Sequence, residues 1–228
     1  VVAHLAGLGV EFLTRTSVGR VESGRVETSR GDVSAGTVVV AVNHDIDQLL
    51  PALASEYRVE RCALDMLRVA APLARPLDAP LLTGWSLLRY GAFAQLPEVA
   101  ALRERLHGDR PDLAAVDLNQ MYTQLPDGSL IVGDTHARSS TVQPFQTESA
   151  SDLLIEETEL LFGVPLRVLE RWQGVYASAP AEFLVAEPEP GVHALAATTG
   201  IGMTTGLGLA ELTLAAAFDA VGSRTEGI

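Results

Sequence analysis

Gly200-Ile201-Gly202-Met203-Thr204-Thr205-Gly206-Leu207-Gly208-Leu209-Ala210-Glu211 is the stretch on which the reading of this chain turns. The run before it, Val192 to Ala197, is apolar and reads as a buried strand. The run after it, Leu209 to Val221, is apolar and alanine-rich and reads as a helix. A strand, a glycine-rich turn and a helix start together make a place for an anion or the edge of a cofactor. Glycine lets the backbone approach a ligand, and the first helical turn offers unpaired N–H groups and the positive end of a dipole. Thr204 and Thr205 add hydroxyls and a candidate N-cap. The plainer alternative is a strand-to-helix connection that happens to contain glycines.

Moving outward, the first fifty residues read as part of the same nucleotide-binding layer. His4 to Leu8 suggests a helix end, and Gly9 turns the chain into an extended Val10-Glu11-Phe12-Leu13. Ser17 to Glu22 and Gly24 to Thr28 alternate as a small hairpin about Ser23-Gly24, and Arg30-Gly31-Asp32 marks another turn. Val38-Val39-Val40-Ala41-Val42 is a β-branched run expected to be a strand buried on both faces, with Asn43 where it leaves the sheet.

From about Tyr57 the pattern changes. Arg58 to Ala70 alternates as an antiparallel strand, and the three prolines of Ala71 to Pro80 make a loop. Gly84 to Tyr90, Gln120 to Leu125, Ser129 to Gly133 and Val168 to Ala177 read as strands, with Pro126-Asp127-Gly128 as a hairpin turn. Pro97 to Leu106 and Glu148 to Phe162 read as helices. The fold class expected is α/β with an α+β insert. Residues 1–54 and 184–228 form a partial Rossmann-like domain, and 55–183 an antiparallel-sheet substrate domain.

Composition narrows the chemistry. The 228 residues include 16 arginines and no lysine, and the net charge is −13. A chain this acidic, without a basic cluster, is not expected to bind nucleic acid. The missing lysine excludes Schiff-base catalysis and a Gly-Lys-Ser/Thr phosphate loop within these residues. Cys62 is the single cysteine, which fits a cytoplasmic setting and a small core residue better than a nucleophile. No apolar run is long enough to span a membrane. His4, His44, His107 and His193 lack ligand spacing, so no metal site is expected. Glu156, Glu157 and Glu159 read as a solvated helix face.

Three stretches taken in order carry a family resemblance: Gly9-Val10-Glu11-Phe12 through Gly31 to Val38-Val39-Val40-Ala41; Pro126-Asp127-Gly128-Ser129-Leu130-Ile131-Val132-Gly133; and Gly200-Ile201-Gly202-Met203-Thr204-Thr205-Gly206. Together they resemble the C-terminal two-thirds of a FAD-dependent oxidoreductase of the D-amino-acid oxidase and glycine oxidase type. Leu81 to Tyr90, Gly133-Asp134-Thr135-His136 and Arg171 to Tyr176 look like a subgroup linked with phosphonate breakdown. The family's opening strand, G-x-G-x-x-G turn and helix are not in these residues, so the chain is read as lacking its N-terminal third. On that reading residues 1–50 should expose an apolar sheet edge and favour self-association, a homo-oligomer included.

The resemblance implies FAD as cofactor and oxidation of a C–N bond in a small amine or amino acid. It places Gly200, Ile201, Gly202, Met203 and Thr204 beside the flavin, and Asn43 near the nucleotide half. Met203 is equally readable as a core side chain, and Val18, on the same nucleotide side, as ordinary strand packing. Amino-acid-oxidising members carry a carboxylate-clamping arginine after a Trp-x-Gly turn; in Trp172-Gln173-Gly174-Val175-Tyr176 that position holds Tyr176. Arg89, Tyr90, His136 and Arg171 remain to grip an anionic group, with Arg89 and His136 first; the bland alternative for His136 is a satisfied surface histidine. The rivals are a non-catalytic fragment or interaction module that binds no FAD by itself, and an NAD-dependent dehydrogenase, disfavoured because the dinucleotide fingerprint is missing.

Overall fold

The structure, a computed structural model, describes residues 1–225. In chain order it begins with α1 (Val2–Gly7), β1 (Val18–Glu22), β2 (Arg25–Thr28), β3 (Val33–Ser34), β4 (Val38–Val40), a 3-10 turn at Asn43–Asp45, α2 (Ile46–Leu49) and α3 (Pro51–Glu56). There follow β5 (Glu60–Ala70), β6 (Leu81–Leu82), α4 (Gly84–Leu87), α5 (Gly91–Ala94), α6 (Pro97–Asp109), α7 (Pro111–Ala115), β7 (Met121–Gln124), β8 (Leu130–Ser139), α8 (Glu148–Phe162) and β9 (Arg167–Ser178). The chain closes with β10 (Phe183–Glu189), β11 (Val192–Ala197) and α9 (Gly202–Thr225). Two compact units divide it: residues 1–59 with 179 onward, and residues 60–178.

In the first unit β4 pairs in parallel with β11, Val38 opposite Val192 and Val40 opposite Ala194, and β10 flanks β11 antiparallel. β11 alternates buried and half-buried residues along its length. Its inward residues Val192, Ala194 and Ala196 pack with Val38, Val40, Ile46, Leu53 and Leu184. Each fully buried aliphatic side chain contributes about 1.5–3 kcal/mol, so this small core holds the two distant chain segments together. β1, β2 and β3 make a separate antiparallel sheet about the Ser23-Gly24 turn.

In the second unit the sheet runs β6-β7-β8-β5-β9, antiparallel throughout. One face carries Leu67, Val69, Leu130, Val132 and Tyr122, which pack with Trp85, Leu88, Leu113 and Leu154 from the helices. Residues alternate across a strand, so Cys62 and Leu64 of β5 lie on the other face. Their cross-strand partners are Arg138 and Tyr176 for Cys62, and His136 and Gly174 for Leu64. Polar residues thereby gather on the face turned away from the helical core.

The mixed α/β fold class is the one expected, and most elements fall where the sequence places them. Three expectations are corrected. Val10 to Leu13 makes no strand; Val10, Phe12 and Leu13 are exposed, and no strand among the described residues pairs with them. Val38 to Val42 is not buried on both faces. β4 ends at Val40; Val38 and Val40 face the core, while Val39, on the other face, is 42% exposed. Gly84 to Tyr90 is not a strand. α4 occupies its start, because Trp85 and Leu88, three apart, both reach the helical core.

Candidate functional site

Helix α9 begins at Gly202, so the glycine-rich run is mostly helix and the turn itself is Thr198 to Ile201. Thr198 is fully buried; its hydroxyl donates to the Ala181 carbonyl and its N–H to the Glu182 carbonyl at 3.0 Å. Gly200 follows with φ 77°, a conformation that side-chain-bearing residues avoid. At Gly202 a Cβ would come within 3.2 Å of Ala197 Cβ, so the missing side chain there lets the helix start sit against β11.

The expected N-cap is corrected. Thr204 and Thr205 lie inside the helix, where their N–H groups both reach the Ile201 carbonyl at 3.1 Å. The Thr205 hydroxyl bonds the same carbonyl at 2.9 Å, as mid-helix threonines do. Among the described residues the N–H groups of Gly202 and Met203 have no protein acceptor. Met203 is fully exposed, which removes the core reading of its side chain. Asn43 Nδ2 donates to the Ala197 carbonyl at 3.1 Å, so the structure does bring Asn43 to the end of β11, just before this turn. A 24-residue helix with free N–H groups in its first turn suits an anion or an electron-rich ring edge.

A second collection of polar groups stands in the other unit. Buried Trp85 and Leu88 anchor the short turn after α4, and Arg103 donates to the Leu88 carbonyl at 2.9 Å. Arg89 is therefore held firmly, with only 13% of its side chain exposed. One Nη donates to the Tyr176 hydroxyl oxygen, and the other to Asp117 Oδ2 at 3.2 Å. Arg138 donates to the same Asp117 oxygen at 2.8 Å and to Ser178 Oγ at 3.3 Å. Burial works against the Asp117 carboxylate, but the two guanidinium groups outweigh it and hold its pKa below the usual range. Burial pushes the Tyr176 hydroxyl up and the Cys62 thiol up, so neither ionises at neutral pH.

His136 stacks edge-on against Tyr176 and is fixed at both nitrogens. Nδ1 lies 2.8 Å from the Asp117 backbone carbonyl, and Nε2 lies 3.3 Å from Asp134 Oδ2. A carbonyl only accepts, so Nδ1 carries a proton. Burial pushes Asp134 up to about 6, while burial and the Arg89 charge pull His136 down to about 4. Both shifts disfavour an ion pair between the two side chains. Asp134 Oδ1 is buried and has no partner among the described residues.

Of the residues expected to grip substrate, Arg89, His136 and Tyr176 meet in this cluster. Tyr90 does not join it; its hydroxyl reaches Met121 Sδ at 3.3 Å. Arg171 also stands apart, in an exposed pair with Glu148 at 2.8 Å. Asp117 and Arg138 were not foreseen. Asp117 lies in an irregular segment with φ 47°, and no local sequence signal points to it. Arg138 continues the strand parity of His136, which is the signal that could have found it. Among the described residues no three His, Cys, Asp or Glu side chains gather as metal ligands would. No helix there is long and apolar enough to cross a membrane.

Comparison with known proteins gives the family and the fold. The sequence profile of the DAO family, FAD dependent oxidoreductase, matches residues 1–216. Among solved structures the chain is similar to glycine oxidase from Bacillus cereus, at 17% identity over 88% of this chain and 49% of that one, with a TM-score of 0.60. It is similar to L-amino acid deaminase from Proteus myxofaciens, at 15% identity over 96% and 55%, with a TM-score of 0.64. It is also similar to iminodiacetate oxidase from a Chelativorans species, at 15% identity over 87% and 47%, with a TM-score of 0.59. At these identities the likeness is one of fold, and the chain spans about half the length of the structures it matches. No curated protein matches the sequence.

Proposed function

This chain belongs to the family of FAD-dependent oxidoreductases, and we propose that it is part of an enzyme that oxidises a C–N bond in a small amine or amino acid bearing an anionic group. The observation that carries the reading is the Arg89 guanidinium, mostly buried and fixed by Tyr176 and Asp117. Its planar fork suits a carboxylate or a phosphonate. An aminophosphonate substrate is the finer form of the proposal.

The residues that would hold FAD in this chain are Gly200 to Thr204, with Asn43 beside them. The N–H groups of Gly202 and Met203 and the α9 dipole favour negative charge at that point. FAD, when bound, supplies the acceptor for the hydride that leaves the carbon next to the amine. The chain's own residues supply orientation. Arg89 and Tyr176 fix the anionic end of the substrate, and His136, locked at both ring nitrogens, keeps the Asp117 backbone in place. No nucleophile from the chain is called for, and the high pKa of the Cys62 thiol is in keeping with that.

A second reading, a module that docks on a partner and binds no FAD by itself, is favoured by one observation. Met203, Leu207 and Leu212 on α9 are strongly exposed apolar residues. An absorbance spectrum of the chain purified with FAD separates the two. Retained flavin bands support the oxidoreductase, and a colourless protein supports the module.

A further inference from the structure

Within the second unit, α4, α6 and the segment around α7 frame a small cavity of about 60 Å³, with Trp85, Arg89, Arg103, His107 and Asp117 in its wall. A water molecule takes about 10–15 Å³ of such space, so the cavity holds about four water-sized groups. The arginines of this unit are not alike. Arg68, Arg89 and Arg110 are half-buried, and each reaches a carboxylate. Arg103 is half-buried too, yet among the described residues it reaches none. One Nη donates to the Leu88 carbonyl at 2.9 Å, which satisfies an N–H but supplies no counter-charge. Asp117, the acidic residue in the same wall, is engaged at Oδ2 by Arg89 and Arg138. His107 lies over Trp85, ring centroids 5.9 Å apart and planes 17° apart.

Taking a guanidinium out of water without a counter-charge is costly, and a small anion beside Arg103 removes that cost. We infer that this cavity is a site for a small oxyanion, with the Arg103 guanidinium as its main binding group and Arg89 and His107 beside it. The planar fork of arginine takes two oxygens of one anion side by side. The volume suits an ion the size of phosphate and is too small for a larger organic ligand. The Asp117 carboxylate opposes the anion, so binding is expected to be weak. Because Arg103 also holds the Leu88 carbonyl, an anion here ties α6 to the turn that presents Arg89.

Trp85 is one of two tryptophans, so a Trp172→Phe chain reports on the cavity through Trp85 fluorescence. Titration with inorganic phosphate at neutral pH should give a saturable change with a Kd of about 1 mM. Arg103→Gln keeps amide donors for the Leu88 carbonyl but removes the charge, and should weaken phosphate at least about tenfold. Arg103→Lys keeps the charge without the fork and should fall between the two. Arg105→Gln removes the same charge from an exposed position on α6 and should leave the Kd unchanged. Phosphate should also raise the urea midpoint of the parent chain but not that of Arg103→Gln, and the midpoints without phosphate show that each variant folds. No saturable change in either measurement overturns the site. So does a Kd that Arg103→Gln leaves alone, that Arg105→Gln weakens equally, or that Arg103→Lys fails to restore in part. Arg89 need not bind substrate for any of these outcomes, so a failure here leaves the proposed reaction standing.

Discussion

The two candidate regions offer a ligand opposite things. The start of α9 presents backbone: free N–H groups at Gly202 and Met203 and a helix dipole, with a fully exposed Met203 beside them. The sheet face presents side chains, and these are already engaged with one another. Arg89, Arg138, Asp117, Tyr176 and His136 form a network whose members must exchange partners to take a ligand. A backbone site is ready before its ligand arrives and discriminates little. A network of charged side chains is selective because every new contact competes with an old one.

The largest effect that would break this comparison is expected at Arg89. In the full-length enzyme Arg89→Ala should raise KM for an anionic substrate about 100-fold, as loss of a charged hydrogen-bonding partner does. Binding of FAD should be unchanged. A parallel loss of flavin would mean that the two regions are not separable.

Next comes the Asp134–His136 pair, where the sign follows from the two shifts. The Asp134 carboxyl is raised from 3.8 to about 6, so its contribution to stability is present at low pH and lost as pH rises from about 4 to 6. The His136 imidazole is lowered from 6.5 to about 4, so its contribution is present above 6.5 and lost as pH falls toward 4. The two slopes oppose each other over the same window, and the wild-type pair should add little net pH dependence there. Asp134→Asn keeps a donor toward Nε2 and removes one slope. The variant should lose about 2 kcal/mol between pH 6.5 and 4.5 relative to wild type, measured by urea unfolding. Equal profiles for the two proteins would count against the raised Asp134 carboxyl.

A smaller change is expected in the backbone region. Gly200→Val forces a β-branched residue into φ 77° and should cost about 1–3 kcal/mol locally. Flavin affinity should weaken by about tenfold or more, while binding of an anionic ligand at Arg89 stays constant. Smallest of all, Arg171→Ala should shift stability by less than about 1 kcal/mol and leave KM unaltered, because its pair with Glu148 is exposed. A large KM effect there would redraw the side-chain site.

The same contrast explains what could be read from sequence. The backbone region announces itself locally, since β11 is an apolar run and glycine clusters only where the chain needs it. Its error was one of boundary. Helix α9 starts at Gly202 because close packing on Ala197 overrides the poor helix propensity of glycine. The Pro126-Asp127-Gly128 hairpin was legible for the same local reason. Asp127 accepts from the Ser129 N–H and hydroxyl within the turn, and those bonds, with Arg68, bring its pKa down to about 2. The side-chain region was only partly legible. Arg89, His136 and Tyr176 were named as single candidates, but Arg138 and Asp117 come from a strand and an irregular segment far apart in sequence. The pairing of β5 with β8 and β9 brings Arg138 and Tyr176 together, and the His136 N–H bond to the Val116 carbonyl sets Asp117 beside them. The Gly84 to Tyr90 segment failed as a strand because four to seven residues cannot distinguish the two periodicities, and contact with the helical core decided the matter.

The parallel pairing of β4 with β11 has a consequence for biosynthesis. Asn43 and Ala197, bonded to each other across this junction, are separated by 154 residues. On the ribosome, residues 60–178 emerge entire and are free to fold first, since their strands pair only among themselves. Strand β4 must wait through that interval with its inner edge unsatisfied, a state in which nascent chains recruit chaperones or stray onto wrong partners. Slow translation across the 60–178 stretch would lengthen that exposure, so the yield of correctly formed protein should depend on the codons chosen there.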